Sequence, residues 1–288
     1  MNSRTIKKGI KRTGIYIAAI VVFLWTLLPI LWMFISSITP TVDLLTIDGK
    51  WFSENVNFGR YIAIFSQTGS SSDAGAQFVN SLKISIIVSV TTVVFAIIFG
   101  GISAYAFARL RFKFKNTLLM ATMFFQLLPS ITLVIPLYVI ARKIGMIDQP
   151  MFLVVLYMSF TLPYVIWVLN GYYKTIPSDL EQAAQIDGCT WFSAYWRIVL
   201  PLAKPGLVAV GALSFLMCWD EFMYALIFMT SLSSKTMPVA ISEFSTRYGI
   251  DYGMISTAGC IATVFPMLLA LIFQKYIVAG LTAGGVKD

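Results

Sequence analysis

Six long apolar stretches constrain the fold of this chain more than any other feature. They cover residues 15–36, 79–104, 117–141, 151–173, 206–230 and 253–276. About 20 apolar residues in a helix cross the roughly 30 Å of hydrocarbon in a bilayer. The sequence therefore predicts an all-α integral membrane protein with six transmembrane helices, for which the lipid bilayer is the solvent.

Composition excludes several other classes of protein. Hydrophobic residues make up 58% of the chain and charged residues 12%, whereas soluble domains carry about 25% charged residues. The chain has no histidine, and its three cysteines (Cys189, Cys218 and Cys260) lie far apart. A disulfide framework, a zinc site and histidine-based catalysis are therefore not expected. The net charge of +8 comes from basic residues scattered between apolar spans, so we expect no nucleic-acid partner.

The distribution of basic residues predicts the orientation. Of the 21 Lys and Arg residues, 14 fall on the side of the N-terminus, and such residues concentrate in cytoplasmic segments. Both termini are thus predicted to be cytoplasmic. The first apolar stretch is too long for a secretory signal and no small-residue cleavage site follows it, so we expect it to be retained.

The same pattern divides the chain into three parts. Residues 1–78 would form a cytoplasmic segment, the first transmembrane helix and an extracytoplasmic loop from about residue 38. Residues 79–276 would form the core transmembrane domain, and residues 277–288 a cytoplasmic tail. The core contains a segment of about 30 residues (175–204) that is neither a short turn nor a span, and a loop of that size is typical of a functional element.

This segment has the signals of two short helices. Ser178 followed by Glu181 is typical of a capping box, in which both side chains satisfy free backbone N–H groups. Gly188 suits the left-handed position that ends a helix, and Thr190 can cap the next one. The sequence thus predicts two helices that meet at Gly188.

Two roles remain open for the first of these helices. The small residues Ala183 and Ala184 leave it slim, so that it can lie in a groove of another protein. The alternative is an amphipathic helix on the lipid headgroups. The aromatic residues that follow it favour that alternative: Trp191, Phe192 and Trp196.

The segment resembles the EAA motif of bacterial ABC importer permeases, which is EAA, three residues, Gly, nine residues and Ile-x-Leu-Pro. The matching residues, with the flanking cap and acids, are Ser178, Glu181, Gln182, Ala183, Ala184, Asp187, Gly188, Ile198, Leu200 and Pro201. The resemblance implies a type I importer permease (MetI-like) fold in a bacterial cytoplasmic membrane. It also implies that these residues form a coupling helix that docks on a cytoplasmic ATPase subunit. Gln182 stands where the family usually has glutamate, so the expected ion pair becomes a hydrogen bond or moves to Glu181 or Asp187.

Other stretches resemble the carbohydrate-uptake permeases, in particular the maltose-type second subunit. They are residues 104–112, 136–138 and 219–222, and the C-terminal tail from Gly280. The similarity runs from about Ser81 to the C-terminus. It implies that the tail contacts the ATPase subunits through Gly280, Thr282, Gly284 and Lys287.

The energy source is predicted to lie in other chains. ATP binding requires a phosphate-binding loop G-x-x-x-x-G-K-[ST], and no such sequence occurs here; Gly9 and Gly14 are followed by Ile15 and Tyr16. We therefore expect no cofactor in this chain and no catalytic residues, with ATP and Mg bound by a partner ATPase. The resemblance implies two ATPase subunits, a homologous second permease subunit, an extracellular solute-binding protein and a sugar or oligosaccharide as substrate.

Two acidic residues fall within the fifth apolar stretch. A charge at the centre of a span costs at least about 2.5 kcal/mol on insertion scales, so Asp220 and Glu221 are expected to face the bundle interior or water. One interpretation is a translocation path formed with Trp219 and Tyr224, in which an aromatic ring stacks on the sugar. The alternatives are a polar contact with the partner permease and a helix end.

Two other functions fit the sequence less well than an importer does. A secondary transporter commonly shows internal repeats with paired broken helices, and the two halves of this sequence show no self-similarity. A membrane enzyme needs convergent acid and base groups. Asp220 and Glu221 are the sole intramembrane pair, and adjacent residues of a helix do not face each other.

Overall fold

The computed structural model describes residues 3–46, 53, 55–65, 72–246 and 249–283, most of which are helical. In chain order the helices are α1 (Ser3–Ile38), α2 (Thr41–Leu44), α3 (Gly59–Phe65), α4 (Ser72–Arg109), α5 (Lys115–Gln126), α6 (Ser130–Lys143), α7 (Pro150–Thr175), α8 (Asp179–Ile186), α9 (Trp191–Ala194), α10 (Leu200–Leu202), α11 (Lys204–Trp219), α12 (Met223–Phe228), α13 (Met237–Ser242) and α14 (Tyr252–Ala283). One π-helical turn, Tyr195–Val199, joins α9 to α10. Two short antiparallel strands, β1 (Ser245–Thr246) and β2 (Gly249–Ile250), precede α14.

The described residues contain four helices that are long and apolar enough to cross a membrane. They lie in α1, α4, α7 and α14, at four of the predicted stretches. Two bent pairs supply up to two more spans: α5 with α6, at 89°, and residues 191–202 with α11, at 77°. The predicted all-α membrane fold is thus confirmed, and the number of spans reaches six when each bent pair counts as one. The second pair begins inside the predicted 175–204 segment, and its bend is at Ala203. The third and fifth stretches are broken where continuous helices were predicted.

The third stretch is broken because of a proline. α5 ends at Gln126 and α6 begins at Ser130, directly after Pro129. Proline has no N–H group and disfavours the helical conformation in the residue before it. With 12 and 14 residues, the two helices are about 18 and 21 Å long. Neither crosses the hydrocarbon alone, so the prediction of one helix over 117–141 was wrong.

The fifth stretch is broken at its acidic pair. α11 ends at Trp219, and α12 begins at Met223. The carboxylate of Glu221 accepts hydrogen bonds from the backbone N–H groups of Tyr224 (2.8 Å) and Ala225 (3.2 Å). Glu221 therefore stabilises the start of α12, whose first N–H groups have no partner within the helix. The acidic pair lies at a helix end and not inside a continuous span.

The chain forms two compact units, of which the first comprises residues up to 75 and residues 241–263. In this unit the guanidinium of Arg60 donates to the backbone oxygen of Thr39 (2.6 Å) and to the hydroxyl of Thr41 (2.8 Å). Beside it, the hydroxyls of Tyr61 and Ser37 are 2.7 Å apart. Arg60 also donates to the backbone oxygen of Ser37 (3.2 Å), so it satisfies a carbonyl group in the last turn of α1, which has no partner within the helix.

The second unit comprises residues 76–240 and 264–288, and α7 is its most buried span. Leu153 and Tyr157 on one part of α7 lie in a core cluster with α12, and Leu169 and Tyr173 lie in a second cluster with α4. The 175–204 segment follows α7 directly, so its first residues are held in place by a buried helix. The division at residues 78 and 276 stays a prediction.

Candidate functional site

The residues 175–204, here called the EAA loop, contain two short helices joined at a glycine, as predicted. Gly188 has φ +88°, and its N–H donates to Gln185 while that of Cys189 donates to Ala184. This is the paired bonding of a Schellman motif, which ends α8. The hydroxyl of Thr190 accepts from the N–H of Ser193 at 3.2 Å, so Thr190 caps α9.

The start of α8 differs from the prediction. Ser178 has helical dihedral angles and makes no side-chain capping bond. The capping box also required Glu181 to turn back towards Ser178, but the Glu181 side chain points to α4 instead. The predicted capping box was therefore wrong, because charged and hydroxyl donors on α4 bind the Glu181 carboxylate.

Glu181 forms a buried ion pair with the last residue of α4. The Arg109 Nε lies 2.6 Å from Glu181 Oε1, and the hydroxyl of Tyr105 donates to Oε2 at 2.8 Å. Arg109 Nη2 also donates to the backbone oxygen of Ile176 at 2.7 Å. Glu181 is only 1% exposed, and a carboxylate buried this deeply requires such partners. The group of Tyr105, Arg109 and Glu181, here called the clasp, fixes α8 to α4.

The clasp corrects one expectation for the motif. The side chain of Glu181 is directed into the chain, so the ion pair lost at Gln182 has not moved to Glu181 on the surface. Ala184 lies on the same inner side and is buried. Sequence reasoning missed the clasp because Arg109 is 72 positions before Glu181, and Arg109 belongs to a basic cluster after the second predicted span that indicated only topology.

The opposite side of α8 is exposed. It carries Asp179, Gln182, Ala183 and Ile186, which are spaced as one face of a helix. Ile186 is 87% exposed and was not among the predicted docking residues, although its spacing from Gln182 placed it on that face. The outer face of α8 thus presents polar side chains together with one exposed apolar side chain.

The remaining predicted residues are distributed around this loop. Asp187, Gly188 and Pro201 are exposed, and Ile198 and Leu200 are half-buried. The predicted tail contacts Gly280 and Thr282 lie on the backbone of α14, whereas Gly284 and Lys287 lie outside the described residues. The structure brings the EAA residues together on one loop.

A polar cavity of about 700 Å³ lies next to α8. Its lining includes Arg111, Lys115, Gln182 and Trp191, together with the clasp residues Arg109 and Glu181. Because the charge of Arg109 is matched by Glu181, the surplus charge of this lining is positive. The exposed face of α8 thus has a basic recess at its side, which favours a partner with acidic groups.

The structure places the predicted translocation residues in different environments. Trp219 is 3% exposed and stacks on Phe215, with ring centroids 5.5 Å apart. It is not free to stack on a sugar, so that expectation was wrong. Asp220 is exposed at the end of α11, whereas Glu221 and Tyr224 line a cavity of about 590 Å³.

Comparison with known families decides what kind of protein carries this loop. Residues 96–283 match the family model of the binding-protein-dependent transport system inner membrane component. The chain belongs to this family. The EAA loop and the clasp residue Arg109 both fall within the matched region. The permease is therefore a transport subunit and not itself a catalytic one, which leaves the membrane-enzyme alternative without support.

Several relatives of the permease are similar over nearly their whole length. The trehalose transport system permease protein SugB of Mycobacterium tuberculosis is 38% identical, over 91% of this chain and 93% of the relative. The trehalose/maltose transport system permease protein MalG of Thermococcus litoralis is 33% identical, over 96% and 98%. The predicted resemblance to carbohydrate-uptake permeases is thus confirmed, and a secondary transporter has no support.

A solved structure confirms the fold of the permease. A bacterial ABC transporter involved in the import of the acidic polysaccharide alginate matches with a TM-score of 0.75 at 18% identity, over 96% of this chain and 99% of that chain. The methionine ABC transporter MetNI matches with a TM-score of 0.56 at 16% identity, over 70% and 95%. The permease thus has the importer permease fold that the EAA motif implied.

Proposed function

We propose that the permease is the transmembrane subunit of an ATP-driven importer for a sugar or oligosaccharide. The names of its relatives support the substrate class, since they describe transport of trehalose, of trehalose and maltose, and of diacetylchitobiose. The chain has no phosphate-binding loop. ATP and Mg are therefore bound by separate ATPase subunits, and this chain holds no cofactor.

The EAA loop is the docking element for the ATPase. The observation that carries this proposal is the contrast between the two sides of α8: Glu181 is clasped inside, while Gln182 and Ile186 are exposed outside. A helix that is fixed to the membrane domain on one side and free on the other can transmit a displacement. The alternative of a helix on lipid headgroups is less favourable for Gln182 and Asp179, which share the outer face with Ile186.

The assembly follows from this role. A homologous second permease subunit completes the channel, two ATPase subunits dock on the EAA loops, and an extracellular solute-binding protein delivers the sugar. The EAA loop is on the cytoplasmic side, with both termini, as the distribution of basic residues favours. Closure of the ATPase dimer pushes α8, and the clasp passes this movement to α4, so that the helices tilt as rigid bodies.

Reconstitution tests the proposed function. The permease is assembled with its second permease subunit in proteoliposomes, with and without the ATPase subunits and the solute-binding protein. We expect uptake of labelled trehalose or maltose only with ATP and the complete assembly. Uptake by the permease pair alone, or uptake that ignores ATP, would contradict the proposal.

A single exposed residue tests the docking role. Replacement Ile186→Asp puts a charge on the outer face of α8 without touching the clasp, and we expect the ATPase subunits to dissociate during purification. Ile144→Asp is the matched control, since Ile144 is also exposed and lies before the start of α7. Normal binding of the ATPase by Ile186→Asp, or equal loss in both variants, would exclude docking through this face.

A further inference from the structure

Both broken spans border one cavity of the second unit, with a volume of about 590 Å³. From the break between α5 and α6 the lining includes Phe125 and Gln126, and from the break between α11 and α12 it includes Glu221. Each break falls inside a predicted apolar stretch. Non-helical backbone at membrane depth is tolerated where it is buried in protein or lines a water-filled cavity, so two breaks at one cavity indicate a hydrated site.

The polar groups of this cavity retain unused hydrogen-bonding capacity. The carboxylate of Glu221 accepts one bond from Tyr224 and one from Ala225, whereas an ionised carboxylate has about four acceptor positions. The side-chain amide of Gln126 donates to the backbone oxygen of Phe160 at 3.4 Å. That bond uses its nitrogen and leaves its carbonyl oxygen to accept. Acceptors of this kind fit hydroxyl donors.

The rest of the lining supplies apolar surface. The rings of Phe125 and Phe160 border the same space as the polar groups of Gln126 and Glu221. A pyranose has hydroxyl groups around its edge and C–H groups on its faces, so it requires both kinds of surface. The volume lies within the roughly 300–1,000 Å³ typical of small-molecule sites. Among the residues that the structure describes, none of those lining the cavity is basic, so an acidic sugar would meet the charge of Glu221 without a counter-ion.

We propose that this cavity binds one neutral sugar unit of the transported saccharide, with Glu221 and Gln126 accepting from hydroxyls and Phe125 covering a ring face. This inference rests on the proposed sugar-import function. It assigns a substrate contact to this subunit, and it moves that contact from Trp219, which is buried, to residues at the two breaks. Tyr224 is also part of the lining and is 4% exposed.

The test uses the complete transporter in proteoliposomes with trehalose, maltose and diacetylchitobiose as probes. The sugar that the wild type carries best is then used for the variants Glu221→Gln and Gln126→Leu. Loss of one hydrogen bond to a hydroxyl is worth about 0.5–1.5 kcal/mol, which corresponds to a rise in the KM for uptake of about two- to tenfold.

A matched pair of phenylalanines separates binding from folding. Phe124 and Phe125 are equally exposed neighbours on α5, but only Phe125 is part of the lining. We expect Phe125→Leu to raise KM and Phe124→Leu to leave it unchanged. Wild-type KM in all the cavity variants, or equal effects in both phenylalanine variants, would overturn the cavity site while the import function stands. A wild type that carries none of the three sugars would overturn the import function itself, and this inference with it.

Discussion

Two carboxylates hold loops at opposite ends of α7, and they do so by different means. Beyond its C-terminal end, Glu181 is buried and paired with the cation of Arg109. Before its N-terminal end, half-buried Asp148 accepts only from neutral groups: the N–H and hydroxyl of Thr230 (2.6 and 2.9 Å), the N–H of Ser231 (2.8 Å) and the hydroxyl of Ser234 (2.7 Å). Because Asp148 is partly exposed, solvent stabilises its charge and no counter-ion is needed. The charge of Glu181 is buried, so it requires the cation of Arg109.

The largest difference should appear when each carboxylate is removed. Glu181→Ala leaves the Arg109 guanidinium buried without its partner, which costs about 3–5 kcal/mol. Thermal unfolding of the purified transporter and protease cleavage within the EAA loop would measure the loss. Asp179→Ala is the control, because Asp179 lies exposed on the same helix; equal effects of the two changes would contradict a special role of the clasp.

Replacement of both clasp residues sharpens the comparison. Replacing a buried ion pair with apolar residues often leaves the free energy of unfolding unchanged. The double variant Arg109→Leu with Glu181→Leu should therefore regain much of the stability that Glu181→Ala loses. Transport should nevertheless stay low, because α8 then has no fixed link to α4. A double variant with normal uptake would show that packing alone suffices for coupling.

Asp148→Asn should be milder, with a loss of about 1–2 kcal/mol, since its hydrogen bonds are charge-assisted but half-exposed. Burial alone raises the pKa of Asp148, but the hydrogen bonds from Ser231, Ser234 and Thr230 outweigh it and hold the pKa below its ordinary value of 3.8. The stabilisation is therefore complete above that value and is lost as the pH falls through the lower native pKa.

The pH dependence gives the measurement for this site. Melting temperatures of wild type and Asp148→Asn are compared from neutral pH down to about pH 3. We expect the gap between them to close at the acidic end. A gap that stays constant with pH would show that the Asp148 charge contributes nothing.

Two glycines extend the comparison to the backbone of the loops before and after α7. Gly145 and Gly188 have φ of +68° and +88°, and an added Cβ would meet open space at each. Alanine should therefore cost about 1–2 kcal/mol of strain at either position. Uptake per ATP hydrolysed should fall in Gly188→Ala alone, because only that turn joins the two helices of the EAA loop.

The control for these glycines is Gly171 in α7, where a Cβ also meets open space but φ is not positive. Gly171→Ala should not destabilise the permease, since alanine is the better helix former. If Gly145→Ala lowers the coupling as much as Gly188→Ala, the effect comes from general strain and not from the loop.

The smallest effects are expected at the caps of the EAA loop. Thr190→Ala removes the capping hydrogen bond to the N–H of Ser193 and should lower the free energy of unfolding by about 1 kcal/mol. Ser178→Ala removes none, so it should stay within about 0.5 kcal/mol, as surface changes usually do. Unfolding of both variants in the same detergent measures the difference. A larger loss of stability for Ser178→Ala would instead support the predicted capping box.

The sequence predicted most of the membrane fold because hydrophobic length is a local property. The positions of the six apolar stretches and the Gly188 turn depend on neighbours within a few residues. The turn was predicted correctly, as were the four stretches that form continuous helices. A window of about 19 residues averages over short interruptions, so the break at Pro129 was missed, although the proline signalled it. A helix end at Asp220 and Glu221 was only one of the alternatives that the sequence left open. The clasp depends on a contact between distant segments, and no pattern in the sequence connects Arg109 with Glu181.

The described part of α4 within the second unit, Gln77–Arg109, is one uninterrupted helix of 33 residues. At about 1.5 Å per residue it is roughly 50 Å long, well beyond the thickness of the hydrocarbon layer. Its last residue is the arginine that holds Glu181. A displacement of α8 is therefore transmitted through Arg109 to the C-terminal end of a long continuous helix. The two broken spans, in contrast, can bend where their helices are interrupted.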